Sequence, residues 1–420
     1  MDLLFENANL LLRGGEAAQG SVGVSNGLIT FVGQKPDGFI PDEVIDCQGD
    51  LLMPGLVDTH THMPMSLLRG VGDDTPLAVW LSDHVGPLES QMDDFMIEVG
   101  ARLALAELIR GGVTAVNDMH LIVQNVAGAC EKAGMRALLS RGIMSFSQVE
   151  NLAETQALLE RYRDPAGLIR IAVAPHAEYT NTTESLLRSR ELAQKYGAPL
   201  HIHVSETKKE HEECKERHGG MSPVRYLDSL GLLDERSLLA HCVWVEEEDV
   251  ELIAARGASV LHCPQSNLKL GSGIAPVARM LEKGVCVTVA TDGAASNNNL
   301  DMFEEMRLAA LLAKGSSCDP ELVPAKSAFA MATEYGAKAL GYRGGVLEAG
   351  YAADLILLDL KKPHMQPVRD LLSNLVYAAG AGDVRMTMVN GRMLYRDGQL
   401  LTIDEEQLSR DVQTALERFA

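Results

Sequence analysis

Apolar runs of strand length recur through the middle of this chain, and each is followed at once by residues able to bind metal or substrate. The runs are Leu51–Val57, Val113–Val116, Arg136–Ser140, Ile169–Ala174, Pro199–His203, Ser237–Ala240, Ala258–Leu261 and Val285–Ala290. Between them lie longer stretches with helical spacing, such as Phe95–Arg110 and Ser185–Tyr196. Near-continuous apolar strands alternating with helices build parallel sheets covered on both faces. Eight such repeats in roughly 250–300 residues are what a (β/α)8 TIM barrel requires. The runs end, in order, at His60-Thr61-His62, Asn117-Asp118, Arg141, His176, His203 with Glu206, His241, His262 and Asp292. These barrels carry their chemistry at the C-terminal ends of the strands. The register of the polar residues therefore argues for an α/β barrel more strongly than any single run does.

The flanks follow a different rule. Leu3-Leu4-Phe5, Asn9-Leu10-Leu11-Leu12, Ser21-Val22-Gly23-Val24 and Leu28-Ile29-Thr30-Phe31-Val32 are short strand candidates separated by Gly-Gly and Asn-Gly turns. A similar pattern returns in Ala353–Leu358 and Met386–Gly391. Together these predict one small β-sandwich domain formed by both chain ends. The expected division is 1–53 for its first part, 54–345 for the barrel and 346–400 for its second part. Residues 401–420 would form a C-terminal helix, since Glu405 to Phe419 has helical spacing and charge.

A net charge of −21 on 420 residues repels nucleic acid and anionic membrane, so small-molecule chemistry is expected. Cysteines stand at 47, 130, 214, 242, 263, 286 and 318 without a CxxC pair, which fits a reduced, cytoplasmic compartment. The start, MDLLFENANLLL, lacks the basic region of a signal peptide, and no membrane-length apolar stretch occurs.

His60 and His62 share one face of an extended strand and can bind one metal. His201 and His203 share a face as well, so either could be a ligand; His203 lies nearer the strand end. Glu206, just beyond, is placed to act on water, whereas Glu210, Glu212 and Glu213 read as a solvated helix face. Asp292 can close a coordination shell or cap the next helix. His241 could be a ligand or a donor, and His262 reads as structural. Three imidazoles and one carboxylate leave a divalent metal an open position, where bound water is acidified towards hydroxide. A glutamate that carries protons completes a hydrolase for an sp² carbon, either an amide or an amino-substituted heterocycle. HExxH, P-loop and GxGxxG motifs are absent.

These stretches resemble the amidohydrolase superfamily, and within it the 5′-methylthioadenosine/S-adenosylhomocysteine deaminases. The resemblance rests on Pro54–His62, Leu67–Gly70, Pro175-His176, His201–Thr207, Ala240–Cys242, Ser266–Gly271 and Thr291–Asn297. It implies one divalent metal, zinc in first place and otherwise iron, manganese or nickel, held by His60, His62, His203 and Asp292. It implies that Glu206 shuttles protons, that His241 orients the metal-bound hydroxide and that Asp292 also accepts its proton. His176 matches a substrate contact, Glu89 the carboxylate that reads the ribose hydroxyls, and Arg141 an arginine that can meet a homocysteine carboxylate. The implied reaction is hydrolytic deamination of 5′-methylthioadenosine, S-adenosylhomocysteine, adenosine or 5′-deoxyadenosine to the inosine analogue and ammonia. Barrels of this type often pair, so a homo-oligomer is implied too. The stretch Gly142–Glu150 departs from the pattern, because it lacks the second arginine of the S-adenosylhomocysteine binders. Uncharged 5′-substituents are then favoured, with Met144 and Phe146 as candidate pocket walls. The nearest competing reading is an amidohydrolase acting on a free purine or pterin base or on a triazine, by deamination or dechlorination. A metal-free scaffold protein is the distant one, and the complete ligand set argues against it.

Overall fold

Pro54 and Gly55 divide what reads as one apolar run into two strands with different partners. In the computed structural model, which describes residues 1–164 and 166–419, Leu51–Pro54 joins a mixed sheet and Leu56–Thr61 opens a parallel one. A Cβ on Gly55 would fall 2.1 Å from the Thr114 side chain, so only glycine lets the chain pass there.

The parallel sheet has eight strands in sequence order: Leu56–Thr61, Val113–His120, Arg136–Ile143, Ile169–Pro175, Leu200–Val204, Ser237–His241, Ser259–His262 and Cys286–Val289. Helices such as Asp94–Arg110, Val123–Ala133 and Thr183–Tyr196 intervene. Asp93 and Thr182 cap two of them by accepting the N–H groups of Met96 and Ser185. The last strand meets the first through side chains as well as backbone. Thr59 Oγ1 lies 2.7 Å from Thr288 Oγ1, and Asp58 accepts both the backbone N–H and the hydroxyl of Thr291, at 3.1 and 2.6 Å. The Asp292 N–H donates to the His60 carbonyl at 2.9 Å, closing the barrel at the site itself.

Inside the barrel, residues of period two stack in layers. Val57, Ala115, Leu138, Ala172, Leu238 and Leu261 form an apolar layer. Two residues further along three of these strands stand Thr59, Asn117 and Ser140, all buried and hydrogen-bonded. The polar layer is thus the floor on which the histidines rest.

Both chain ends build the second unit. Its nine strands run from Asp2–Leu11 through Leu51–Pro54 and from Leu355–Leu358 through Gln399–Leu400, hydrogen-bonded as one mixed sheet. The hairpin tip at Gly27-Leu28 returns to Ala352 and Ala353, so this sheet folds back over its own core of Phe5, Leu10, Val24, Leu355 and Met388. Leu3–Phe5 and Asn9–Leu12, read above as separate strands, are one strand with an irregularity between Phe5 and Ala8, where Asn7 takes a positive φ. The helix Glu405–Leu416 packs on Asp94–Arg110, with Arg102 paired to Asp411 at 2.7 Å. Among the described residues no helix is long and apolar enough to cross a membrane.

Candidate active site

The C-terminal strand ends bring His60, His62, His203, His241 and Asp292 together. Donor atoms of His60, His62 and Asp292 lie within 4.8 Å of one another, as do those of His60, His203 and His241. Asp292 Oδ1 is 3.3 Å from His62 Nε2 and 3.6 Å from His60 Nε2. Backbone strain gathers here, with positive φ at Ser205, His241, Cys242 and Asp292.

The partners of each ring dictate where its protons sit. His62 Nδ1 lies 2.6 Å from the Met119 carbonyl and His203 Nδ1 2.8 Å from the His176 carbonyl. A carbonyl only accepts, so both Nδ1 atoms are protonated, and in the neutral ring Nε2 is then the atom that keeps a lone pair. His60 reaches the same state through a relay. The Ser140 hydroxyl donates to the Asp118 carbonyl, and His201 Nδ1–H can then donate to Ser140 Oγ at 3.1 Å. His201 Nε2 accepts from His60 Nδ1 at 2.9 Å, leaving His60 Nε2 buried without a partner. Burial holds His60 and His203 well below the usual histidine range, with the neighbouring histidines adding to the shift, so protons do not fill these positions. Lone pairs of neutral imidazoles converging on a carboxylate suit a divalent cation. Nδ1 partners of this kind fix ring orientation in metal sites. The sequence left His201 and His203 open; the geometry turns His203 into the cavity and His201 beneath His60.

The carboxylates and His241 are set differently. Burial opposes ionisation of Asp292, but the His62 and His241 charges and the Ser266 and Gly293 donors outweigh it and lower its pKa. Burial lowers His241, yet Glu206 and Asp292 overcome that and raise it, while its Nδ1 meets Asn267 Oδ1 at 3.0 Å. Glu206 is raised by burial and sits 3.8 Å from His241 Nε2. Gly293 follows the ligand turn so closely that a Cβ there would stand 3.1 Å from that of His62.

One cavity of about 650 Å³, mouth included, joins these groups to the rest of the expected site. Glu89 and His176 line it beside His62, His203, Glu206, His241 and Asp292. Glu89 ends the short helix Gly86–Glu89, and burial raises its pKa. Arg141 does not line the cavity: its guanidinium donates to Asn151 Oδ1 at 3.0 Å and pairs with Glu154 at 2.9 Å. Met144 and Phe146 are not walls either, and Phe146 is 84% exposed. The apolar walls are Met65, Leu77, Trp80, Leu81 and Leu270. Sequence reasoning missed these because they lie on the long connection after the first strand and the loop after the seventh, which carry no strand register. Glu210, read as solvated, is only 7% exposed and accepts the N–H groups of Ser205 and Glu206, each at 2.8 Å. The capping-box spacing Thr207-x-x-Glu210 was the signal that could have revealed it. His262 is buried and outside the cavity, as its structural reading expected.

The profile of the amidohydrolase family matches residues 51–394. The chain belongs to that family. Over its full length this amidohydrolase is 43% identical to the 5′-deoxyadenosine deaminase of Methanosarcina mazei, of which it covers 98%. It is 45% identical over 94% of its length to the 5-methylthioadenosine/S-adenosylhomocysteine deaminase of Nitratidesulfovibrio vulgaris, covering 91% of that protein. Among solved structures, a zinc-bound adenosine deaminase from Xanthomonas campestris matches the amidohydrolase with a TM-score of 0.96 and 37% identity, over 100% of this chain and 98% of that one. The zinc-bound atrazine chlorohydrolase of Arthrobacter aurescens matches with a TM-score of 0.92 and 25% identity, over 99% of this chain and 100% of that one.

Proposed function

We propose that this amidohydrolase converts an adenine nucleoside and water into the inosine analogue and ammonia. The observation that carries the reading is one cavity with converging imidazole lone pairs, Asp292 and Glu206 at its floor and Glu89 in the same lining. His60, His62, His203 and Asp292 would hold one divalent cation, zinc in first place, which when bound supplies the Lewis acidity that makes water nucleophilic near neutral pH.

The chain's own groups then manage two protons. Water adds its oxygen to the ring carbon that bears the amino group. Glu206 carries one water proton to the adjacent ring nitrogen; a carboxyl lifted by burial holds that proton more readily than a free one. Asp292 accepts the other, which leaves with the amino group as ammonia. His241, drawn towards its charged form by Glu206 and Asp292, orients the attacking oxygen from its Nε2. His176 contacts the purine, and Glu89 accepts from the two ribose hydroxyls. Seven free thiols, most of them buried, suit a reducing cytoplasm, and the charge of −21 disfavours nucleic-acid and membrane partners.

Glu89 separates this reading from action on a free base or triazine, which have no ribose diol. Glu89→Gln is expected to lower kcat/KM for nucleosides about 10-fold or more, the value of one charge-assisted hydrogen bond. Turnover of guanine or a triazine, if any, should stay unchanged. Equal loss on nucleosides and free bases would contradict the assignment.

A further inference from the structure

One buried histidine at the strand ends takes no part in the chemistry above. His120 closes the second barrel strand with its side chain 2% exposed, and its Nε2 has no hydrogen-bond partner among the described residues. Its Nδ1 accepts the backbone N–H of Ile122 at 3.2 Å. Burial pulls the ring down to about 3, with the His62 and Arg141 charges adding to the shift, so it is neutral. A neutral imidazole that accepts at Nδ1 carries its proton on Nε2. The strand end therefore holds an N–H donor with nothing to receive it, and such buried groups are rare because each loses its solvation without compensation.

The group that Nε2 faces is Glu89, whose Oε1 lies 3.6 Å away, just beyond hydrogen-bond distance. Glu89 lines the cavity and His120 does not. Burial raises Glu89, which works against the ionised form. Yet a carboxyl reads two hydroxyl donors best when ionised, with both oxygens free to accept. A neutral donor aimed at one oxygen favours that form and leaves the remaining lone pairs for the ligand. Arg141, the register neighbour of His120 on the third strand, is bound to Asn151 and Glu154.

We propose that His120 is a positioning residue for sugar recognition, whose Nε2–H closes onto Glu89 Oε1 when a nucleoside binds and holds the carboxylate towards the vicinal hydroxyls. This rests on the nucleoside reading above and adds a residue to it. A histidine that merely filled space would be replaceable by an apolar ring with no effect on which sugar is accepted.

The test compares adenosine with 2′,3′-dideoxyadenosine, which differ at the diol, on the metal-loaded enzyme. His120→Phe is expected to raise KM for adenosine about 10-fold, the loss of one hydrogen bond to a charged group, with kcat within about 3-fold and zinc content unchanged. KM for the dideoxy substrate should not move. His120→Asn, too short to reach Glu89, should repeat the effect if the phenylalanine variant folds poorly, and His120→Gln, which keeps a longer N–H donor, should recover most of it. Adding His120→Phe to Glu89→Gln should cost nothing further, since His120 acts only through that carboxylate. Equal KM changes on the two substrates, or none on either, would overturn the role of His120. Failure of the unaltered enzyme on every nucleoside, with turnover of free bases, would instead remove the nucleoside reading and this inference with it.

Discussion

At the scale of single residues, the site works by giving like groups unlike surroundings. Glu206 and Glu210 are four residues apart and both buried, but their oxygens do different work. Glu206 Oε1 accepts from the Ser272 hydroxyl at 3.4 Å, and its carboxylate borders the cavity. Glu210 spends its oxygens on the turn that carries Glu206. Glu206→Gln keeps the shape and removes the proposed proton carrier, so kcat should fall about 10²–10⁴-fold with metal content intact; single-turnover rates and metal analysis check this. Glu210 gives a pH prediction. Burial raises it from 4.5 to about 7, the Glu206 charge adding to the shift and three backbone N–H groups opposing it. With the folded value above the unfolded one, its stabilising contribution is full below about pH 4.5 and is lost as pH rises through about 7. Glutamine does not titrate. Between about pH 5 and pH 8 the unaltered protein should therefore lose more thermal stability than Glu210→Gln; equal losses in melts at the two pH values would contradict this.

At the scale of elements, the closure between first and last strands ties barrel to site. Asp58 holds the backbone N–H and hydroxyl of Thr291, the residue before Asp292, while Ser266 from the turn after the seventh strand donates to Asp292 Oδ2 at 2.6 Å. Asp58→Ala would leave the buried Thr291 N–H unpaired, at about 1–3 kcal/mol, while the Thr291 hydroxyl would keep the Asp292 carbonyl at 3.0 Å. We expect a lower Tm and weaker metal retention from this one change, and an unaltered Tm in calorimetry would contradict the account. Much of this was legible beforehand. The strand ends at 60–62, 203, 241 and 292 could be read because metal-binding residue types recur just where each largely apolar run leaves the barrel. Where that rule is silent, reading failed. Leu51–Val57 looks like one strand, because nothing in its hydropathy shows that Pro54 and Gly55 hand it from one sheet to another. Trp80, Leu77 and Leu270 sit on loops without periodicity, where an apolar residue facing a cavity looks like one facing the core. His120 directly follows Met119 in the second run's extension, and its unpaired Nε2 is a property of three-dimensional surroundings alone.

At the scale of the whole molecule, two units of different construction share the labour. The parallel barrel aims polar side chains at one end, and the mixed sheet ties both chain ends to it through Leu51–Pro54. Ion pairs such as Arg136–Asp354 at 2.8 Å join the third barrel strand to the C-terminal part of the sheet, so truncating either end would disturb the frame on which the site stands. The central claim is that this frame presents a cation-dependent deaminase site to an adenine nucleoside. It is tested most directly by ammonia release and loss of adenine absorbance with 5′-deoxyadenosine, methylthioadenosine, adenosine, S-adenosylhomocysteine, guanine and a triazine, each with and without a chelator. The account predicts chelator-sensitive turnover of nucleosides, with S-adenosylhomocysteine the poorest because Arg141 is engaged by Asn151 and Glu154. Turnover of guanine or the triazine alone, or nucleoside turnover indifferent to complete removal of metal, would contradict it.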